Sequence, residues 1–497
     1  MSVSHARAGA RRSTSVLLAA ALIAALPALP ARAAVTRLRL ELIAPNDEVS
    51  LYKYGRRDRV QLALGLHLAA MDAPFELQAR RPDYTQPPIL TQVLHGPGGE
   101  TQVIELDDEL MAGWEGLADF FEVTFTDEAG DVVVSKRVDF CPGGFERERV
   151  NDSGPDQPTY PSGCFANPFA KGVIWGIDRD WAVGLDSYEG ASVRVANGTY
   201  DATVAISQTY VEVFGIDPED ATAHVRVRVE KYPRTRCRRG CDDVLEPRPA
   251  GHRRALVPTI APPDTATLPD LVSLPSWGIQ VENRRERTVV SFGATVWTAG
   301  ASDLVVEGFR RSGEATMDAF QYFYEDGVVV GKARVGELEF DRRDGHDHWH
   351  FKQFAGYSLL DETGEEVLKS RKEAFCLAST DAIDLTLPGA NLNPTVGLST
   401  ACGSESSIWT REILPLGWGD TYYQSIPGQS FNVTDLPNGK YFIRVEANPG
   451  GLLHEETTAN NVELREIILK GGPGDRRIEV PPWNGIDSEA DLDGRLF

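Results

Sequence analysis

The sequence predicts a mainly β protein built from two β-sandwich-like domains, and three observations carry that reading. Short alternating runs dominate, such as His224-Val225-Arg226-Val227-Arg228-Val229 and Tyr441-Phe442-Ile443-Arg444-Val445. Their period of two is that of a strand with one buried face. Turn residues separate the runs at Pro97-Gly98-Gly99, Asn197-Gly198 and Asn438-Gly439, whereas convincing helical periodicity is scarce. At 497 residues the chain exceeds one ordinary domain.

Residues 1–33 read as an export signal. Arg7, Arg11 and Arg12 precede the apolar run Val16 to Leu29, and Ala31-Arg32-Ala33 supplies small residues for cleavage. The Arg11-Arg12 pair hints at the twin-arginine route, although the residues after it fit poorly. No other apolar run is long enough to span a bilayer, so the expected location is secreted or periplasmic, with no membrane span.

Residues 36–231 are expected to form a β-rich N-terminal domain without metal ligands. Residues 232–269, rich in proline, arginine and threonine, read as a linker. A second β domain follows at 270–470, and the polar tail 471–497 is expected to be loosely ordered. Six cysteines, an even number, suit an oxidising compartment. Proximity along the chain suggests the pairs Cys141–Cys164, Cys237–Cys241 and Cys376–Cys402.

Charge bounds the partners. The chain has 50 basic and 73 acidic residues, a net charge of −23. Removing residues 1–33 takes away four arginines and no acid, so the mature chain is more acidic still. Such a protein repels nucleic acid and draws in cations, including primary ammonium groups.

The most informative stretch is Asp344-Gly345-His346-Asp347-His348-Trp349-His350-Phe351. In an extended segment, residues i, i+2 and i+4 share one face, so His346, His348 and His350 can serve one transition metal. The outer pair would lie roughly 13 Å apart on a flat strand, which requires a bend or an end there. Imidazole suits copper, zinc, iron and nickel alike. The histidines alone therefore leave open a zinc hydrolase, or a non-enzymatic secreted metal-binding adhesion or binding protein.

Several further motifs follow in order. Pro269-Asp270-Leu271-Val272 comes before the histidine run. Lys372-Glu373-Ala374-Phe375-Cys376-Leu377 and Gly417-Trp418-Gly419-Asp420-Thr421-Tyr422 come after it. Gln429, Val433-Thr434-Asp435, Asn438-Gly439, Asn448-Pro449, Glu455 and Asn460-Asn461 complete the series. Together they make residues 270–470, about two fifths of the chain, resemble the catalytic domain of the lysyl oxidase family, the copper-dependent amine oxidases with a lysine tyrosylquinone.

The resemblance implies that His346, His348 and His350 bind copper and that Lys372 and Tyr422 cross-link into the quinone. Tyr423 is the neighbouring alternative, but the Asp-Thr-Tyr frame favours Tyr422. It implies oxidative deamination of primary amines, peptidyl lysine or small amines, with dioxygen as co-substrate. Aldehyde, ammonia and hydrogen peroxide are released. Asp420 or Asp347 is the expected base. The family's disulfide spacing supports the Cys376–Cys402 pair. Calcium is a further candidate cofactor, through Asp270 and Leu271 with Glu455, Asn460 and Asn461. Thr457, standing where an aspartate is expected, weakens that site.

The N-terminal domain is read as a degenerate copy of the second. Phe140-Cys141, Cys164, Trp175-Gly176, Val193-Arg194-Val195 and Asn197-Gly198-Thr199-Tyr200 parallel Phe375-Cys376, Cys402, Trp418-Gly419, Asn432-Val433-Thr434 and Asn438-Gly439-Lys440-Tyr441. Counting back from the Asn-Gly pair, Trp181 falls where Tyr422 does. Arg137, four residues before Cys141, falls where Lys372 stands before Cys376. No histidine cluster precedes them, so this copy cannot make the quinone.

Overall fold

The computed structural model describes residues 38–490 except 54–58, 97, 151–152, 156, 165–166, 186–191, 232–258, 262–266, 285–286, 311–314, 326–327, 343–347, 371, 373, 395–401, 405–406 and 408. The expected signal, most of the expected linker, Cys237, Cys241, His346 and Asp347 lie outside the described residues. Among the described residues the regular structure is almost all strand, with one short α-helix at Gln208–Phe214. That helix stops where Gly215 takes up a left-handed conformation, φ 63°. No described helix is long and apolar enough to cross a membrane.

Alternation decides which faces are buried. In Thr222–Lys231 the residues Ala223, Val225, Val227 and Val229 point inward, and the intervening arginines and His224 point outward. Gly98-Gly99 lies at a hairpin tip, with His95 opposite Thr101 and Gly99 at φ 87°. Asn197-Gly198 and Asn438-Gly439 do not join hairpins. Each opens a long strand, at Gly198–Ile206 and Gly439–Ala447. The tyrosine two residues beyond each glycine then bonds back to the chain. Tyr200 donates to the Ala196 carbonyl (3.1 Å) and Tyr441 to the Pro437 carbonyl (2.8 Å). This is the tyrosine corner of a β-sandwich.

The two halves repeat one topology across three sheets. Arg39–Ile43, His67–Met71, Trp181–Gly184 and Arg147–Arg149 lie side by side. Pro269–Ser273, Arg287–Gly300, Trp418–Tyr422 and Asp381–Ala382 repeat that order. In the second sheet Gly172–Ile177, Phe75–Arg80, Ile89–His95 and Thr101–Leu106 match Trp409–Leu414, Leu304–Arg310, Thr316–Glu325 and Val328–Asp341. In the third, Val132–Phe140, Leu117–Thr126, Gly198–Ile206 and Thr222–Lys231 match Glu366–Lys369, Ala355–Asp361, Gly439–Ala447 and Val462–Lys470.

Every matched pairing is antiparallel, and the matched strands occur in the same order along the chain. Disulfides Cys141–Cys164 and Cys376–Cys402 occupy matching places. The C-terminal half adds His348–Lys352 and Ala374–Phe375 to its second sheet, and His348–Lys352 is the strand that carries two of the candidate copper ligands. Among the described residues, the N-terminal half shows no strand in either place.

One detail of the expected copy is corrected by this topology. The strand bearing Trp175-Gly176 takes the place of Trp409–Leu414, not of the Trp418-Gly419 strand. The Trp181 strand holds that position. Arg137 is a surface residue, 3.4 Å from Glu122. The tail also differs from expectation, because residues 471–490 are held. Arg477–Glu479 pairs with Val462–Lys470, Trp483 packs edge-on against Phe169 at 5.4 Å, and Glu489 accepts the Ile279 N–H at 2.7 Å. Spaced anchors such as Arg476, Trp483 and Glu489 hold a polar segment that shows no hydrophobic period.

The two halves meet along residues 167–172. The N–H groups of Lys171 and Gly172 donate to Ile383, and the Leu385 N–H donates back to Gly172. A Cβ on Gly172 would lie 2.5 Å from the Asp384 carboxylate, so the approach requires glycine. Phe169, fully buried, sits among Leu274, Trp277, Trp297 and Ile383.

Candidate active site

Strand pairing brings His348 and His350 onto one face. Asp341 lies opposite His348, and Glu339 opposite His350. The two imidazole Nε2 atoms approach to 2.9 Å, with the rings at 74°. Behind them, His350 Nδ1 is 3.5 Å from Asp341 Oδ2, both side chains being buried. A carboxylate behind one ring nitrogen orients the other toward a metal. His346 and Asp347 fall in the segment outside the described residues. Among the described residues, no three His, Cys, Asp or Glu side chains gather as a metal cluster.

Lys372 and Tyr422 meet beside these histidines. Lys372, only 5 % exposed, places Nζ 4.2 Å from the centroid of the Tyr422 ring and 4.9 Å from that of Phe375. Phe375 packs edge-on against Tyr422, centroids 4.9 Å apart, which contributes about 1 kcal/mol beyond area burial. The Tyr422 hydroxyl is pinned to one backbone residue: it accepts the Cys376 N–H and donates to the Cys376 carbonyl, both at 3.0 Å. Burial, followed by the nearby Asp420, pushes the phenol far above its ordinary range and keeps it neutral. Tyr423 points elsewhere. It hydrogen-bonds Asp381 and packs against Trp277 at 5.8 Å.

Strand Trp418–Tyr422 carries Asp420 into the same pocket, about 370 Å³ in volume and lined also by His348, His350 and Ser425 to Pro427. Asp420 accepts the Ala378 N–H, and its Oδ2 is buried with no hydrogen-bond partner among the described residues. Burial lifts its carboxyl well above the usual range, and the Lys372 cation pulls it back. Behind it, Glu412 is raised by burial to about 8, and one of its oxygens accepts the Leu377 N–H at 3.0 Å.

Part of the chain has known relatives. The lysyl oxidase family model matches residues 332–473. Lysyl oxidase homolog 1 of Homo sapiens is 34% identical over 25% of this chain and 20% of its own length. Protein-lysine 6-oxidase of Sus scrofa is 32% identical over 25% of this chain and 45% of its own length. Lysyl oxidase homolog 2 of Gallus gallus is 25% identical over 38% of this chain and 22% of its own length. The C-terminal half carries a lysyl oxidase family domain. The chain spans between a fifth and just under half of these relatives.

The lysyl oxidase domain also draws the five candidate calcium residues together. Asn460 Nδ2 donates to Asp270 Oδ2 at 2.7 Å, and Asn461 Nδ2 donates to Glu455 Oε1 at 2.8 Å. Leu271 contributes its N–H to Glu455 Oε2 at 3.2 Å. Asp270 Oδ1, Asn460 Oδ1 and Asn461 Oδ1 are buried acceptors without a hydrogen-bond partner among the described residues.

Sequence reasoning missed Asp341, Glu412 and Gly428. Glu412 had a signal: it occupies an inward position of the alternating strand Trp409–Leu414, where a charge is out of place. Asp341 becomes visible only once its strand is registered against His348. Gly428, at φ 95°, lies against the Lys372 stem, where a Cβ would come within 2.8 Å of Lys372 Cβ.

Proposed function

We propose that the protein is an exported, copper-dependent amine oxidase of lysyl oxidase type, deaminating primary amines, peptidyl lysine or small amines, to aldehydes with release of ammonia and hydrogen peroxide. The observation that carries this is the Lys372 amine over the Tyr422 ring, beside two converging imidazoles and a buried carboxylate. His348 and His350 suit copper as a convergent pair of ring nitrogens backed by Asp341, and His346 would complete the set. Copper would supply oxidation of the phenol by dioxygen, and the quinone would supply the electrophile for the amine.

The chain's own residues do the rest. The Cys376 backbone holds the phenol oxygen, so the ring edge stays fixed while the lysine approaches. Phe375 and the pocket wall exclude water from the amine, which has to lose its proton before it can add to the ring. Asp420 Oδ2 is the proton acceptor for the substrate α-carbon, and burial strengthens it as a base. The acidic surface attracts the ammonium substrate. Residues 1–33 would direct export, and the two disulfides suit that destination. The halves 36–231 and 270–470 would be separate domains joined by residues 232–269.

Calcium is proposed at Asp270, Leu271, Glu455, Asn460 and Asn461, on the strength of the three unpartnered buried oxygens. Added calcium should raise the melting temperature and a chelator should reverse the gain; a melt indifferent to both rejects the site.

Peptide mapping of copper-loaded protein tests the central reading and should find a Lys372–Tyr422 cross-link. Lys372→Arg should lose the cross-link and peroxide release from primary amines while retaining copper. Full turnover in that variant overturns the assignment.

A further inference from the structure

We infer that Asn167, from the half of the chain without copper ligands, is a positioning residue of the active site, holding through Asp381, Thr295 and Thr421 the strand that presents Asp420 and Tyr422. Asn167 is fully buried and its amide is committed on both sides. Its Oδ1 accepts the Phe169 N–H at 3.0 Å, which fixes which end is the donor. Nδ2 then donates to Thr295 Oγ1 at 3.1 Å and to the Asp381 carboxylate.

The hydroxyl directions follow from these donors. Thr295 Oγ1 accepts from Asn167 and faces Trp277 Nε1 at 3.5 Å, so its own proton goes to Thr421 Oγ1, 2.7 Å away. Thr421 in turn donates to Asp381. Thr421 stands between Asp420 and Tyr422 on one strand, so a shift of its side chain moves both neighbours. Asp381 also takes hydrogen bonds from Thr380 and Tyr423, and Thr380 Oγ1 accepts the Thr421 N–H at 2.7 Å. Among the described residues, the side-chain amide in this network, that of Asn167, comes from the N-terminal half. It is delivered by the segment that is zipped through Lys171 and Gly172 onto Ile383. Sub-ångström placement governs reactions of this kind, so the N-terminal repeat serves as a built-in buttress for a site that it cannot itself form.

The activity arm of the test rests on the oxidase reading; the other arm does not. Asn167→Ala and the isosteric Asn167→Asp are made in the full chain. Asn393→Ala serves as control, because Asn393 makes a different bond between the halves, to the Pro158 carbonyl. In metal-free protein, amide exchange at Gly419–Tyr422 should quicken at least tenfold in both Asn167 variants, with Tyr441–Ala447 unchanged. On adding copper(II) in air, copper uptake should equal wild type while the visible quinone band grows at least tenfold more slowly. kcat should fall with KM unchanged, and Asn393→Ala should stay within twofold of wild type throughout. Exchange at Gly419–Tyr422 within twofold of wild type in both variants overturns the inference, as does an equal effect from Asn393→Ala. Asn167→Asp keeps the side-chain shape and decides the matter if Asn167→Ala does not fold. A wild-type protein that forms no quinone rejects the oxidase reading, and the exchange arm still judges Asn167.

Discussion

Lys372 is held over Tyr422 by backbone as much as by side chains. The Gly428 carbonyl accepts the Ser370 hydroxyl at 2.8 Å, and that hydroxyl accepts the Lys372 N–H at 3.1 Å. The Lys372 stem then lies on the bare Cα of Gly428. Gly428→Ala therefore adds strain of about 1–3 kcal/mol and pushes the lysine off the ring. The cross-linked fraction should fall several-fold with copper content unchanged, as mapped peptides and metal analysis would show; an unchanged fraction would remove Gly428 from the account. Asp420→Asn should lower kcat by about 10²–10⁴ and leave the cross-link able to form, and a kcat near wild type would point to another base. Lys372 and Tyr422 were readable because each sits in a recognisable frame of neighbours. Gly428 was not, because Pro427-Gly428 reads simply as a turn until the structure shows what lies against it.

At the scale of elements, the Cys376–Cys402 disulfide joins the phenol anchor to the histidine strand. The Cys376 backbone grips the Tyr422 hydroxyl. The Cys402 carbonyl accepts the N–H of Trp349, the residue between His348 and His350, at 2.9 Å. Among the described residues, the matching Cys141–Cys164 disulfide has no histidine strand beside it. Replacing both cysteines of either pair by serine should cost about 3 kcal/mol through loop entropy. Only loss of Cys376–Cys402 should also weaken copper retention and cross-linking. Thermal melts with copper analysis would separate the two, and equal copper loss in both variants would break the argument. The strands themselves were legible from alternation, and the repeat from its Cys, Asn-Gly and Tyr spacing. The pairing of Trp175 with Trp418 was misread because each half carries a tryptophan on two consecutive strands, Trp175 and Trp181 in one and Trp409 and Trp418 in the other, and only strand order tells them apart.

Over the whole molecule, burial in the lysyl oxidase domain makes two carboxyls harder to ionise. Burial raises Glu412 to about 8 and Asp381 to about 6, against ordinary values of 4.5 and 3.8. A raised folded-state value gives stability that is complete below the unfolded value and is lost as pH rises through the folded one. Stability should therefore decline from about pH 4.5 to about pH 8, with Glu412 accounting for up to about 5 kcal/mol at the alkaline end. Asp220, lowered by its hydrogen bond to Arg39, acts in the opposite sense, and stability from it is lost as pH falls. The net acidity of the chain was plain in its composition. Which acids are buried was not, because composition cannot distinguish an inward Glu412 from a solvated one. Glu412→Gln keeps the shape and the acceptor for the Leu377 N–H while removing the titration. It should match wild type in urea unfolding at pH 5 and exceed it by a few kcal/mol at pH 9. Wild-type and variant curves running parallel from pH 5 to 9 would show that Glu412 ionises freely in the folded protein.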